Sequence, residues 1–513
     1  MRRNGFNRSV LTAIVVLSTA MFGTSCNRAS VGHKSVSASS DGGKIPITTK
    51  SEDAKKEFQQ GRELSEKLLA QDSLQHFDKA IALDPDFASA ELARANASAT
   101  AKEFFEHLKR AVTLGEKASD GERLLILANQ AGANGDAVKQ KEYLNKLVAA
   151  YPNDERAHFN LGGYHFAQQD FDQAIEHYKK ATELAPNYSP AYNIIGYAYR
   201  QQGDYTKAEE AFRKYIELIP NDPNPYDSYA ELLLKMGRFD ESIVEYRKAL
   251  SVDSKFFPSR LGIAANLTYM DKPDAAATEL KKITDNARSD GERRAALFAM
   301  TVVEVDGGQM NKALKEMDKQ YALGEEKKDS AAMAGDLQAK GNILIEMQKY
   351  DEAKKQFERS LQLSQDSTLS QEIKDNAKLL HHYNLSRVAV GKKDYAAAKI
   401  EAEEFRKGTD ASRNPVQVRQ AHELVGIIAL AEKDYGKAAT ELQQANLQDP
   451  RNLYRLCQAY GKTSETVKAH DYCEKAARFN SLPQLNYAFI RKEAQKKLAV
   501  KNVTSRAESS TLE

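Results

Sequence analysis

His158 and His165 stand seven residues apart, which places both on one face of a helix, and His177 follows where a returning helix would bring it alongside. Imidazole nitrogens converging in this way could hold a transition metal. Both positions on the first helix also belong to columns of large packing residues, so core packing is the reading adopted and no metal ligand is assigned. His381 and His382 are adjacent and point to different faces of a helix, which makes no metal pair. Gly461-Lys462-Thr463 has the order that ends a phosphate-cradling loop, but Leu456 stands where such a loop needs its first glycine. HExxH, GxSxG and dinucleotide-binding glycine patterns are all missing. No catalytic residue, cofactor or cofactor-binding residue is therefore assigned, and an enzyme is not expected.

The three cysteines fall at 26, 457 and 473 and carry separate meanings. Residues 1–26 begin with Arg2, Arg3 and Arg8, continue through an apolar stretch from Val10 to Phe22, and end in Gly23-Thr24-Ser25-Cys26. That is the anatomy of a signal peptide. The small residues before Cys26 resemble a bacterial lipobox, which implies that the signal is removed and that Cys26 becomes a lipidated first residue. Ordinary secretion and an uncleaved membrane anchor stay open, and all three place the body outside the cytoplasm. The same resemblance, with Asn27 next, implies an outer-membrane lipoprotein on the periplasmic side of the envelope. Residues 27–50 are rich in Ser, Gly and Lys without helical period and predict a flexible tether.

At 513 residues the chain exceeds one ordinary compact domain, so several domains or a repeat array are expected. Lys+Arg at 74 and Asp+Glu at 72 nearly cancel, which leaves no electrostatic footprint for nucleic acid. Beyond residue 30 no apolar run approaches the roughly 18 residues needed to span a bilayer.

Asp170-Phe171-Asp172-Gln173-Ala174 returns thirty-four residues later as Asp204-Tyr205-Thr206-Lys207-Ala208. With units starting at 121, 155, 189, 223 and 257, the eighth place reads Ala128, Gly162, Gly196, Ala230 and Ala264. The twentieth reads Gln140, Ala174, Ala208, Ser242 and Ala276, and the twenty-fourth Leu144, Tyr178, Phe212, Tyr246 and Leu280. Small residues permit close helix approach and large ones fill the gaps left beside it. Pro152, Pro186 and Pro220 stop second helices, so each unit is a pair of short helices.

These columns resemble the tetratricopeptide repeat, closest in Ala191–Tyr199 with Gln202-Gly203-Asp204-Tyr205 and Glu210-Ala211-Phe212. The resemblance implies an all-α fold, a right-handed superhelical solenoid of antiparallel helix pairs with roughly twelve units. The array is expected over 51–290, in strict register from 121 to 290, and over 291–480 in longer, irregular units. There Gly308-Gln309-Met310 and Lys349-Tyr350-Asp351 mark second helices forty residues apart. Residues 481–513 predict a C-terminal helix and a frayed tail. Cys457 and Cys473 fall at inward places on the two helices of the last unit, where an exported chain leaves them either bridged or as two buried thiols.

In this architecture the first helices line a concave groove suited to an extended peptide or a partner helix. Register places Arg156, Phe159, Asn160, Phe166, Asn193, Tyr197, Arg200 and Gln201 there, followed by Asn224, Asp227, Glu231 and Lys235. The expected function is an exported, membrane-tethered scaffold that mediates protein–protein contacts in assembling an envelope complex. A lipoprotein binding a solute or glycan on the same helical frame is the second reading. The oligomeric state is left open.

Overall fold

The computed structural model describes residues 43–67, 69–412 and 414–510, and Cys26 and the signal segment lie outside them. Among the described residues there are 25 α-helices and no strand. In chain order the first twenty-four helices fall into twelve successive pairs, and one last helix follows. The chain is thus an all-α solenoid of antiparallel helix pairs. No helix of the described residues is long and apolar enough to cross a membrane.

Local sequence sets the turn inside each pair. An aspartate caps the second helix: Asp136, Asp170, Asp204 and Asp434 each accept a backbone N–H from three residues on. Such a cap satisfies a donor the helix leaves orphaned, worth about 1 kcal/mol. The residue just before the cap is left-handed, as at Gly135 and Gly203 but also at Gln169 and Lys433.

Packing follows the columns. A methyl added at Gly196 would meet the Phe212 ring at 2.7 Å, and one at Gly162 would meet the Tyr178 ring at 2.9 Å. The same sixteen-residue step recurs outside the strict register, where Gly61 lies under Phe77 and Gly341 under Phe357. Ala174 and Ala208 are fully buried at the facing positions. In the irregular region the helices Asp290–Asp306, Met310–Glu326, Ser330–Glu346 and Tyr350–Asp366 have 17 residues each, against 14 in Phe171–Leu184. Nearly one added turn per helix accounts for the forty-residue spacing.

The described chain divides into two compact units. The first holds residues up to Leu233 with Asp240–Gly262 and Lys282–Ala295, and the second holds Leu234–Phe239, Ile263–Lys281 and everything from Ala296 on.

In the first unit, residues 43–50 depart from the flexible tether expected. They run extended across the starts of three first helices: α3 (Ala88–Asn96), α5 (Asp120–Ala133) and α7 (Glu155–Ala167). Ile45 donates its N–H to Asp154 at 2.8 Å, Thr48 to Glu122 at 3.0 Å and Lys50 to Asp84 at 3.1 Å. Lys44 pairs with Glu155, and Ile45 packs near Gly121. Glu122 and Asp154, which cap helices, thus also hold this extended segment, because a carboxylate accepts several hydrogen bonds at once.

In the second unit the C-terminal helix expected after residue 480 is α25 (Leu485–Ser510), which packs on its neighbours from Leu485 to Leu498. Leu485 joins an apolar cluster with Val302, Val305, Met317 and Ile343. Arg491 is 1% exposed and donates twice to Asp306, at 2.6 Å each, and once to Asp271 at 3.0 Å. Lys235, expected to line an open groove, instead lies 4.0 Å from the Phe479 ring and binds the Phe479 carbonyl just before this helix.

Candidate functional site

The face made by first helices of the first unit gathers most of its polar side chains on α7, α9 (Ser189–Gln202) and α11 (Pro223–Lys235). The Tyr197 hydroxyl donates to Glu231 at 2.8 Å, and Arg200 donates to the other oxygen of that carboxylate at 2.7 Å. The Arg200 guanidinium also lies 4.6 Å over the Tyr197 ring, so one aromatic ring, one cation and one anion form a fixed cluster across two helices. Asn193, one turn earlier on α9, is 3% exposed with its Oδ1 unbonded. An acceptor buried without a partner is costly unless something donates to it.

Arg156 belongs to the same face but is already engaged. Its Nε donates to Glu66 at 2.9 Å, on α1 (Glu52–Glu66), and its guanidinium lies 5.4 Å over the Tyr188 ring. Arg62 on α1 is held below the usual guanidinium range by burial and by the neighbouring Arg156 charge. Asn160 is half-buried and donates to the Arg156 carbonyl of its own helix at 2.7 Å, while Gln201 is half-buried at the end of α9.

Phe159 and Phe166 lie where the face meets the helix seams. The Phe159 ring centroid lies 5.4 Å from both Tyr178 and Tyr188, and Phe166 meets Phe171 edge-on at 5.5 Å. Both rings are half-buried, packing against the helix seams with part of each left on the face.

The structure does bring the three histidines together, between α7 and α8 (Phe171–Leu184). The His177 ring is stacked on His165 at 5.7 Å and lies tilted to His158 at 5.6 Å. His158 and His177 face each other through their Nδ1 atoms at 3.3 Å, His158 Nε2 donates to the Pro152 carbonyl at 3.0 Å, and His165 pairs with Asp170 at 3.1 Å. Burial, then the charges of His158 and His165, push His177 below the ordinary imidazole range. Among the described residues no group of three or more His, Cys, Asp or Glu is placed to hold a metal ion.

Cys457 and Cys473 are joined by a disulfide across the last pair, α23 (Pro450–Tyr460) and α24 (Thr466–Ala477), and both are fully buried. His381 is half-buried with an unbonded Nδ1, whereas His382 pairs with Glu401 at 2.7 Å.

Tetratricopeptide-repeat family models match residues 128–189, 164–223, 224–256 and 337–367. These segments are tetratricopeptide repeats. Their match includes α7, α9 and α11, so the Tyr197–Arg200–Glu231 cluster lies on the first helices of recognised repeats. No curated protein matches the chain in sequence. Among solved structures, a tetratricopeptide repeat protein from Parabacteroides merdae is 15% identical, covering 50% of this chain and 99% of its own at a TM-score of 0.35. A thermophilic repeat protein from Thermus thermophilus is 22% identical, covering 42% and 98% at 0.27. YrrB, described as a repeat protein with an unusual peptide-binding site, is 18% identical, covering 38% and 97% at 0.25.

Sequence reasoning placed Tyr197, Arg200 and Glu231 on one face but missed what engages Arg156, namely Glu66 on the first helix. That contact spans ninety residues and leaves no mark on a thirty-four-residue period.

Proposed function

We propose that this chain is an exported scaffold, tethered to a membrane through Cys26, that holds another protein in the assembly of an envelope complex. Tetratricopeptide repeats support a role in protein–protein interaction, and the tether, export and envelope setting extend that role from the N-terminal sequence. The observation that carries the reading is the Tyr197–Arg200–Glu231 cluster beside the unbonded Oδ1 of Asn193. Together they offer an aromatic surface, both charges and a buried acceptor on one helix face. A peptide or helix laid there would meet a rigid aromatic anchor held by a paired cation and anion, the combination that concentrates binding energy in few residues.

In the second unit residues 296–306 and the first helix Ser330–Glu346 are covered in part by α25, through Leu485 and Arg491. The partner is therefore assigned to the first unit, on α7, α9 and α11. Membrane fractionation of the native host, with mass analysis of the mature N-terminus, tests the tether. A lipidated Cys26 in the membrane fraction supports it, and a soluble chain with unmodified Cys26 removes it. Binding of captured partners to wild type but not to a Tyr197→Ala, Glu231→Gln double variant of unchanged helicity tests the face. Equal binding by both overturns the assignment.

A further inference from the structure

Six of the ten histidines sit in one kind of place, a bridge between the two helices of a pair. In the first pair His76 meets Glu57 at 2.6 Å, and in the second His107 meets Glu91. In the tenth pair, α19 (Gln371–Gly391) with α20 (Tyr395–Ser412), His382 meets Glu401 at 2.7 Å. In the eleventh, α21 (Pro415–Ala431) with α22 (Tyr435–Gln443), His422 meets Glu441 at 2.7 Å. The partners stand nineteen residues apart in three of these four bridges. His158 and His177 are also nineteen apart, but here the bridge joins histidine to histidine.

The neutral form of this bridge is self-consistent. A carbonyl only accepts, so His158 Nε2 carries the proton given to Pro152 and His158 Nδ1 is left to accept from His177 Nδ1. A second proton on His158 would set two N–H groups against each other at 3.3 Å, and protonation of both rings would add like-charge repulsion. In the other four bridges the partner is a carboxylate, so an added proton turns the hydrogen bond into a hydrogen-bonded ion pair. The same change in pH therefore acts with opposite sign at different pairs.

The groups around the stack do not supply the missing anion. Glu176 is the next residue on α8 and Asp170 is occupied by His165. Tyr164 on α7 has its ring under Lys141 from α6 (Ala137–Ala150), 5.9 Å away. Among the described residues no carboxylate bonds to His158 or His177.

We infer that the fourth helix pair is an acid-labile joint: mild acid separates α7 from α8 at the His158–His177 bridge while pairs bridged by histidine and glutamate hold. Arg156 and Asn160 lie on α7, so the joint sits beneath the face assigned to the partner. Sites that must change state near neutral pH are suited to histidine, whose charge changes there.

Hydrogen exchange of the full chain at pH 7.5 and 5.5, corrected for intrinsic exchange rates, tests the joint. Protection over 155–184 is expected to fall about tenfold, the factor carried by one unit of differential proton affinity. Protection over 371–412 and 415–443 is expected to hold or rise. His158→Glu places a carboxylate opposite His177 as Glu57 stands opposite His76, and it should abolish the acid-induced loss. His177→Phe removes the opposing N–H while keeping an aromatic in the seam, and it should do the same. Unchanged protection over 155–184 in the wild type, or the same acid loss in both variants, overturns the inference.

Discussion

Cys457 and Cys473 are bonded at the sixteen-residue separation that elsewhere sets Gly196 beneath Phe212 and Gly162 beneath Tyr178. The place where each pair of helices comes closest is filled by a small and a large side chain in the strict repeats and by a covalent bond in the last pair. Closing a loop of this length stabilises by about 3 kcal/mol through the unfolded chain. Reduction, or a Cys457→Ala, Cys473→Ala double variant, should therefore weaken the last pair. Since each pair leans mainly on its neighbours, the loss should stay within about 450–498 in hydrogen exchange. An equal loss along the whole chain would contradict this.

Arg491 carries the most buried ion pair described in the second unit, to Asp306 at 4% side-chain exposure. Arg491→Met should cost about 3–5 kcal/mol in urea unfolding, because it strands the Asp306 carboxylate without a counter-charge. Adding Asp306→Asn should recover part of that loss. If the double variant is as unstable as the sum of the two singles, the pair is not coupled as described.

Ala208 has no exposed surface and faces the Gly196–Phe212 contact within its pair. Ala208→Leu should overpack this seam by about 1–3 kcal/mol. A melting midpoint equal to that of wild type would show that the register places the wrong residue at the close approach.

Strap residues 43–50 should be acid-sensitive in a lower range than the histidine joint. Burial alone would raise Asp84, but hydrogen bonds from the Thr49 hydroxyl and the Lys50 and Asp86 amides more than offset it, and the carboxyl sits below its usual range. Burial likewise opposes ionisation of Glu155, and Lys44 with Arg156 outweighs it. Both carboxyls are depressed in the folded state, so their stabilisation is complete above the ordinary carboxylate range near pH 4 and lost as pH falls through the lowered values. Exchange in a peptide covering 43–50 should match at pH 7 and pH 5 and rise only below about pH 4. A rise already at pH 6 would mean that other groups hold the strap.

Much of the fold was legible because the thirty-four-residue period repeats one packing problem. Gly162, Gly196 and Phe212 announce their roles by column, and the forty-residue spacing announced longer units without saying that the helices themselves lengthen. What the period could not show is any contact between distant units of the array. Arg156 with Glu66, and Arg491 with Asp306, span 90 and 185 residues and depend on how far each stretch of solenoid curves. The site was half legible for the same reason: Tyr197 and Glu231 sit one period apart and were placed together, while the burial of Phe159 and Phe166 depends on rings from neighbouring helices. The disulfide stood open in the sequence, although the sixteen-residue column that separates Gly196 from Phe212 also separates the two cysteines.

The most direct test of the central claim is photo-crosslinking in the native host, with a crosslinking residue placed singly at Asn160 or Gln201 on the first-helix face and at Lys180 or Lys214 on the second helices. The account predicts one discrete protein adduct from Asn160 and Gln201, lost in the Tyr197→Ala, Glu231→Gln background, and none from Lys180 or Lys214. Adducts from the second-helix positions alone, or the same adduct from all four, would contradict it.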